Sequence, residues 1–266
     1  MKKFILDLNL TLLSGQPPHF VWSREGEKFI RAWNGKIVEV SQNEKGEIIS
    51  NNKKFCDFTF RAQDDLKKIY KKISTDSFME KAIKDYYGLR LTQSDVWETT
   101  CCFVLSSNNS IPNIRKSTQL LMQKYGEKIE SNLYSFPSIE SIAKAKESEL
   151  KKCKVGFRAP YLKHTARQLL ENDFSFSKKG DAKCFFLNCL GIGEKISECI
   201  SLFGYGFLDS FPIDVWVKRA MQQVYFNGRE TKNEKIIEKA NELWGDLKGY
   251  AQQYLFYEFM SKKGKR

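Results

Sequence analysis

Lys195 and Asp214, about twenty residues apart, are the two side chains of this 266-residue chain whose neighbours single them out for chemistry. Lys195 closes the string Cys189-Leu190-Gly191-Ile192-Gly193-Glu194-Lys195, and Asp214 closes Phe211-Pro212-Ile213-Asp214. A lysine amine is a nucleophile only when neutral, and with an ordinary pKa of about 10.4 it is under about one per cent neutral at pH 7. Lys195 therefore needs desolvation or neighbouring positive charge, and a helix N-terminus beneath a bound ligand can supply the first. Asp214 follows a proline that stops the preceding segment, and it stands at the N-cap of a helix opening at Val215. A carboxylate there can stabilise positive charge developing on a reacting carbon. Taken singly, Lys195 reads equally as a surface lysine and Asp214 as a plain cap.

The elements that must position this pair are two helices and the corner between them. Phe185-Phe186-Leu187 ends an apolar helix, Leu190-Gly191-Ile192-Gly193 turns the chain, and a second helix opens at Glu194 and runs through Phe203. This is a helix-hairpin-helix. Gly191 and Gly193 allow positive φ and a tight backbone, so N–H groups at the start of the second helix can face a phosphate. Lys195 and Cys199 are four residues apart and share one face of that helix. The balance of 44 Lys plus Arg against 32 Asp plus Glu, a formal charge of +12, suits a polyanionic partner.

Gly-Ile-Gly-Glu-Lys followed by Pro-Ile-Asp-Val resembles the helix-hairpin-helix-Gly/Pro-Asp superfamily of DNA base-excision glycosylases, and the lysine marks its bifunctional branch. Further strings narrow the resemblance to the 8-oxoguanine DNA glycosylases. Ser14-Gly15-Gln16 with Phe20-Val21-Trp22 is similar to the segment whose glycine carbonyl accepts from N7–H of 8-oxoguanine, although Gly15 alone reads as a loop glycine. Ser106-Ser107-Asn108-Asn109 is similar to the string whose first asparagine fills the gap left by a flipped base, although two asparagines after a buried helix also make a C-cap. Gly156-Phe157-Arg158-Ala159 resembles the loop in which an aromatic wedges the duplex and an arginine contacts the estranged base. Its bland reading is a hydrophobic anchor beside a surface arginine. Gln252 and Phe256, four residues apart near the end, match the pair that the family presents to the extruded base, with Phe256 on one face, Cys199 on the other and Gln252 at the Watson–Crick edge.

What the resemblance implies is a bifunctional glycosylase and AP lyase acting on double-stranded DNA that contains 8-oxoguanine. Lys195 would attack C1′ and form a Schiff base that permits β-elimination, and Asp214 would stabilise the oxocarbenium-like sugar. The chain departs from the pattern at three points. Leu190 stands where relatives commonly have proline, Phe157 replaces tyrosine, and Asn113 replaces the arginine that reads the orphaned cytosine. Asparagine lacks the charged fork of guanidinium, so a relaxed opposite-base preference is expected. Two other readings remain: a glycosylase of the same fold for another damaged base, and a non-catalytic helix-hairpin-helix module that binds DNA.

No cofactor is expected. Some relatives carry an iron–sulfur loop after the catalytic domain, and no cysteine follows Cys199 here; with only two histidines, a zinc site is not expected either. A structural cation at the hairpin carbonyls is left open. The seven cysteines, odd in number and without C-x-x-C spacing, read as reduced intracellular thiols. Asp7 and Asn9 interrupt the first apolar run, so no signal peptide is expected, and no run is long enough to span a membrane. A DNA-kinking enzyme of this size is expected to work as a monomer.

The expected fold is α+β. Residues 1–88 form an N-terminal antiparallel sheet domain with linking helices, and residues 89–266 form the helical helix-hairpin-helix domain. Phe4, Leu6, Leu8, Leu10 and Leu12 alternate with other residues and predict a half-buried strand. Asn34-Gly35 between two apolar runs predicts a hairpin with a type I′ turn, and further strands are expected at Ile48-Ile49 and Phe55 to Phe60. Helical periods follow over Leu66–Ile73 and Asp76–Tyr86, and after Ser94 or Asp95 a helix apolar on every side ends at Leu105. The basic tail from Lys262 to Arg266 reads as a frayed end.

Overall fold

The alternation at the start of the chain does not make a strand. In the computed structural model, which describes residues 4–130 and 132–263, the first element is a helix, α1 (Leu8–Leu12). The Asp7 carboxylate accepts the Leu10 N–H at 2.8 Å and caps it, and Leu8 and Leu12, four residues apart, are buried. Leucines at every second position include an i, i+4 pair, so the cap decides between the two periods. A second short helix, α2 (Pro18–Val21), follows the Gly15 loop.

A four-stranded antiparallel sheet comes next, β1 (Ser23–Glu25), β2 (Lys28–Trp33), β3 (Lys36–Gln42) and β4 (Ile48–Ser50), with strands in sequence order. Trp33 pairs with Lys36 across the Asn34-Gly35 turn, where φ is +47° and +68° as a type I′ turn requires. The strand expected from Phe55 to Phe60 is instead the helix α3 (Lys53–Thr59). Asn52 caps it by accepting the Phe55 N–H at 3.0 Å, and the buried residues Phe55, Cys56, Thr59 and Phe60 follow a helical period.

The rest is helical, apart from a small unforeseen hairpin. In order come α4 (Leu66–Ile73), α5 (Ser77–Asp85), α6 (Val96–Ser106) and α7 (Ile111–Tyr125), then the two-stranded β5 (Lys128–Glu130) and β6 (Leu133–Tyr134). They are followed by α8 (Ile139–Lys144), α9 (Glu147–Lys151), α10 (Ala159–Glu171), α11 (Lys179–Leu187) and α12 (Glu194–Ile200). The chain ends in α13 (Val215–Tyr225), α14 (Asn233–Trp244) and α15 (Lys248–Lys263). The helix expected to reach Phe203 is α-helical only to Ile200, and Ser201–Tyr205 continue as a π turn. Met1–Lys3 and the tail residues Gly264–Arg266 lie outside the described residues.

Two hydrophobic clusters hold these elements. A small one packs Leu6, Leu8, Leu12, Trp22, Val38, Val40 and Phe60 between the sheet and the first helices. A large one surrounds α6, whose residues from Trp97 to Leu105 are all buried. Such a helix is a central beam, capped by the Asp95 carboxylate on the Trp97 and Glu98 N–H groups and delivering Ser106 to Asn109 at its far end. Sheet and beam are joined by a two-pronged ion pair of Arg31 with Glu98, 3.0 and 2.5 Å, both nearly fully buried.

Arg90 is the second tie. Fully buried, its guanidinium donates to the carbonyls of Phe60 (2.7 Å), Ile5 (2.9 Å), Arg61 (2.6 Å) and Asp64 (2.8 Å). Removing it takes a donor from four carbonyls at once, of which Arg61's also accepts the Asp64 N–H at 2.9 Å. Arg90→Leu is expected to lower the unfolding free energy by about 3 kcal/mol or more, since each unpartnered buried group costs about 1–3 kcal/mol. Urea titration measures this, and a loss below about 1 kcal/mol would contradict it.

Candidate active site at the hairpin

The hairpin connects α11 and α12 through residues 188–193. Gly191 has φ of +78°, and a Cβ there would lie 2.3 to 2.8 Å from the Tyr161 ring, so only glycine fits. Gly193 differs from expectation: its φ is −105°, it is the N-cap of α12, and a Cβ would meet nothing within 4 Å. Its missing side chain leaves open space in front of the first N–H groups of α12. Leu190, in place of the expected proline, uses the N–H that proline lacks to reach His164 Nδ1 at 3.2 Å.

Lys195, in the first turn of α12, is half-buried. Its Nζ donates to Ser106 Oγ at 2.9 Å and lies 5.2 Å from the centre of the Phe103 ring. The Ser106 hydroxyl in turn donates to the Phe103 carbonyl at 2.7 Å, which fixes a lone pair toward the amine. Asp214 caps α13, one carboxylate oxygen accepting the N–H groups of Trp216 (2.9 Å) and Val217 (2.8 Å). Burial pushes its carboxyl above the usual range; the Val217 and Trp216 N–H groups and the Lys195 charge oppose the shift.

Lys195 and Asp214 both line two adjoining cavities. One, of about 420 Å³, is walled by Gly15, Phe103, Cys199, Gln252 and Phe256 among others. The other, of about 600 Å³, is more polar and runs past Ser107, Asn108, Gly191 and Gly193. Trp216 and Asn109 touch both.

In the first cavity Gly15 sits against the Phe256 ring, where a Cβ would lie 3.0 Å from Cε1, and its φ is +80°. Two groups hold the Gly15 loop. Gln253 Nε2 donates to the Ser14 carbonyl at 3.2 Å, and the Gly15 N–H donates to His19 Nδ1 at 3.1 Å. Burial, aided by the Arg115 charge, lowers His19 to about 4, so its ring is the neutral acceptor that this bond needs. Cys199 is buried and its thiol is pushed up to about 12 by burial, which keeps it an uncharged wall. Gln252 is buried with an Oε1 that meets no donor among the described residues.

For the remaining residues that the sequence singled out the picture is more mixed. Asn108 is exposed with φ of +45°. Phe157 is 52% exposed, with the Arg158 guanidinium 4.3 Å from its ring centre. Arg158 is itself buried, and donates to the carbonyls of Ser107, Asn108 and Val155 instead of standing free on the surface. Asn113 is exposed in the first turn of α7 and lines neither cavity. Sequence reasoning missed Ser106, Phe103, His19 and Gln253. The signal for Ser106 lies in the Ser-Ser-Asn-Asn string itself; nothing local marks His19.

The chain belongs to the HhH-GPD superfamily of base excision DNA repair proteins, whose family pattern matches residues 101–246. Residues 1–100 match the 8-oxoguanine DNA glycosylase N-terminal domain. The probable N-glycosylase/DNA lyase of Methanothermobacter thermautotrophicus is 29% identical over 196 residues, 64% of this chain and 62% of that protein. The N-glycosylase/DNA lyase of Saccharomyces cerevisiae is 25% identical over 239 residues, 74% and 64% of the two lengths. The chain thus spans just under two thirds of these curated relatives. The crystal structure of Clostridium acetobutylicum 8-oxoguanine glycosylase/lyase, in complex with dsDNA containing cytosine opposite 8-oxoG, superposes with a TM-score of 0.88. It is 28% identical, and the match covers 98% of this chain and 93% of that one. No helix among the described residues is long and apolar enough to cross a membrane, and none of their His, Cys, Asp or Glu side chains group in threes fit to hold a metal ion.

The Asp214 shift has a sign that can be checked. Its folded-state pKa is raised, so the charged carboxylate costs stability above that pKa, and the cost vanishes below the unfolded value of about 4. Asp214→Asn keeps a capping acceptor and removes the charge. The variant is expected to melt no lower than the wild type at pH 7, with any advantage gone below about pH 4. Thermal melts at the two pH values test this; a markedly lower melting temperature at pH 7 would count against it.

Proposed function

We propose that this protein is a bifunctional DNA glycosylase and AP lyase that extracts 8-oxoguanine from duplex DNA into the cavity beside Lys195. The carrying observation is that the only two side chains the chemistry needs, an amine and a carboxylate, sit together on the wall shared by the two cavities. The smaller has the volume of a small-molecule site, about 300–1,000 Å³ in general, and the more polar one lies before the open N-terminus of α12, where a phosphate would be held. A purine in the first and its sugar–phosphate in the second brings C1′ to the boundary.

The steps follow from charge. Lys195 gives up a proton and its lone pair forms a bond to C1′ while the glycosidic bond breaks, its electrons leaving with the base. Positive charge on the sugar peaks in between, and the Asp214 carboxylate, fixed by two backbone N–H groups, answers it without reorganising. The product is an aminal at C1′; its nitrogen loses a proton and its lone pair expels the ring oxygen O4′, which takes a proton up. The open-chain iminium so formed makes the C2′ proton acidic, and loss of that proton expels the 3′ phosphate. No cofactor is needed for any of this.

The surrounding residues take the parts that their positions favour. Phe256 and Cys199 would sandwich the base, the unpartnered Gln252 Oε1 would accept from its Watson–Crick edge, and the Gly15 carbonyl would meet N7–H. Asn108 would fill the emptied stack, Phe157 would wedge the kink, and the hairpin glycines Gly191 and Gly193 would bring backbone N–H groups to a phosphate. Arg158 would reach the estranged base only by releasing carbonyls it now holds. Asn113, exposed and without a guanidinium, leaves the opposite base weakly read.

Borohydride trapping on a duplex with 8-oxoguanine tests the central claim. The wild type should form a covalent adduct, Lys195→Gln should form none, and Asp214→Asn should excise at least about 100-fold more slowly. Binding without trapping by the wild type would reduce the protein to a DNA-binding module. For the opposite base, single-turnover excision opposite C, A, T and G should fall within about a tenfold range, because one lost bidentate contact forfeits about 1–3 kcal/mol of discrimination. A preference for cytosine above about 100-fold would contradict the role given to Asn113.

A further inference from the structure

Glu198 lies three residues after Lys195 on α12, lines neither cavity, and is spent wholly on other elements. Its side chain is 13% exposed. One carboxylate oxygen lies 3.2 Å from Lys183 Nζ of α11. The other accepts the Phe211 N–H at 3.0 Å and lies 3.7 Å from Lys179 Nζ. Lys179 in turn donates to the Asp209 carbonyl at 2.8 Å. The incoming helix of the hairpin, the helix that carries the amine, and the segment leading to the carboxylate therefore meet on one side chain.

The segment it holds is short. From Phe211 only Pro212 and Ile213 intervene before Asp214, and proline fixes its own φ. Phe211 is 3% exposed and its ring stacks on Trp244 of α14 at 6.1 Å. A hydrogen bond from α12 to the Phe211 N–H thus sets where Asp214 can lie relative to Lys195. We propose that Glu198 is a positioning residue that fixes the separation of the Lys195 amine and the Asp214 carboxylate by anchoring the 209–211 segment to α12.

The inference rests on the glycosylase/lyase reading above, and its test separates the two. Base excision needs both amine and carboxylate, whereas Schiff-base formation at a preformed abasic site draws on the amine, because the base has already left. Glu198→Ala removes the anchor. Glu198→Asp keeps the charge for the lysines but is one methylene too short for the Phe211 N–H, and Glu198→Gln keeps an acceptor that reaches it. Alanine and aspartate are expected to slow single-turnover excision by about tenfold or more while leaving abasic-site trapping within about threefold, and glutamine to restore most of the excision rate. Hydrogen exchange supplies a readout that is independent of substrate: protection at residues 211–214 should fall with alanine and aspartate and persist with glutamine. Excision and trapping falling together, aspartate excising like the wild type, or unchanged protection at 211–214 would each overturn the proposal. A wild type that shows the protection but excises no 8-oxoguanine would instead fail the functional reading alone.

Discussion

A carboxylate held half-buried at the N-terminus of a helix is costly, and the cost is what would make Asp214 useful in the reaction proposed above. Desolvation penalises its charge, two backbone N–H groups and the Lys195 charge offset part of that penalty, and what is left is a negative charge with little water to screen it. Water would answer a forming cation by turning its dipoles, at the expense of reorganisation. Asp214 is already aimed. The proline before it, the cap it makes and the buried Phe211 all serve to keep that aim, and Lys195 shares the same wall.

The rest of the molecule divides this labour by stiffness. The buried beam α6 carries Ser106, which holds the amine, and the asparagines that follow it. The hairpin is stiffened from below by the Tyr161 ring, which fills the space a side chain at Gly191 would need. The N-terminal layer, which contributes only Gly15 to the cavity wall among its sequence-predicted residues, is tied to the beam by Arg31 with Glu98 and to its own loops by Arg90. Gln253 completes the tie from the opposite end of the chain.

Legible in the sequence are the features whose physics is local. The Asn34-Gly35 turn, the Asp95 and Asp214 caps, the all-apolar α6 and the hairpin corner each depend on a few neighbouring residues. Where two local rules compete, the sequence does not choose. Phe4 and the leucines alternating from residue 6 to 12 satisfy a strand until the Asp7 cap is weighed, and Phe55 to Phe60 look like a strand until Asn52 is seen as a cap. Side chains whose partners are distant are not legible at all. Arg158 reads as a surface arginine, yet two of its three carbonyl partners are some fifty residues away, and His19 has a role only because Gly15 donates to it. Gly191 needs its positive φ, while Gly193 matters for what is absent above it.

The embrace of Arg158 by three carbonyls carries a consequence for how strictly the proposed enzyme would read the opposite strand. A guanidinium that arrives with its donors idle turns every new contact into net attraction. One that must first let go of the turn beneath it trades like for like, and the trade comes out near parity. On the glycosylase reading proposed above, and with Asn113 offering no charge either, recognition of the unpaired base would rest on shape and stacking more than on hydrogen bonds, and tolerance on the uncut strand would follow.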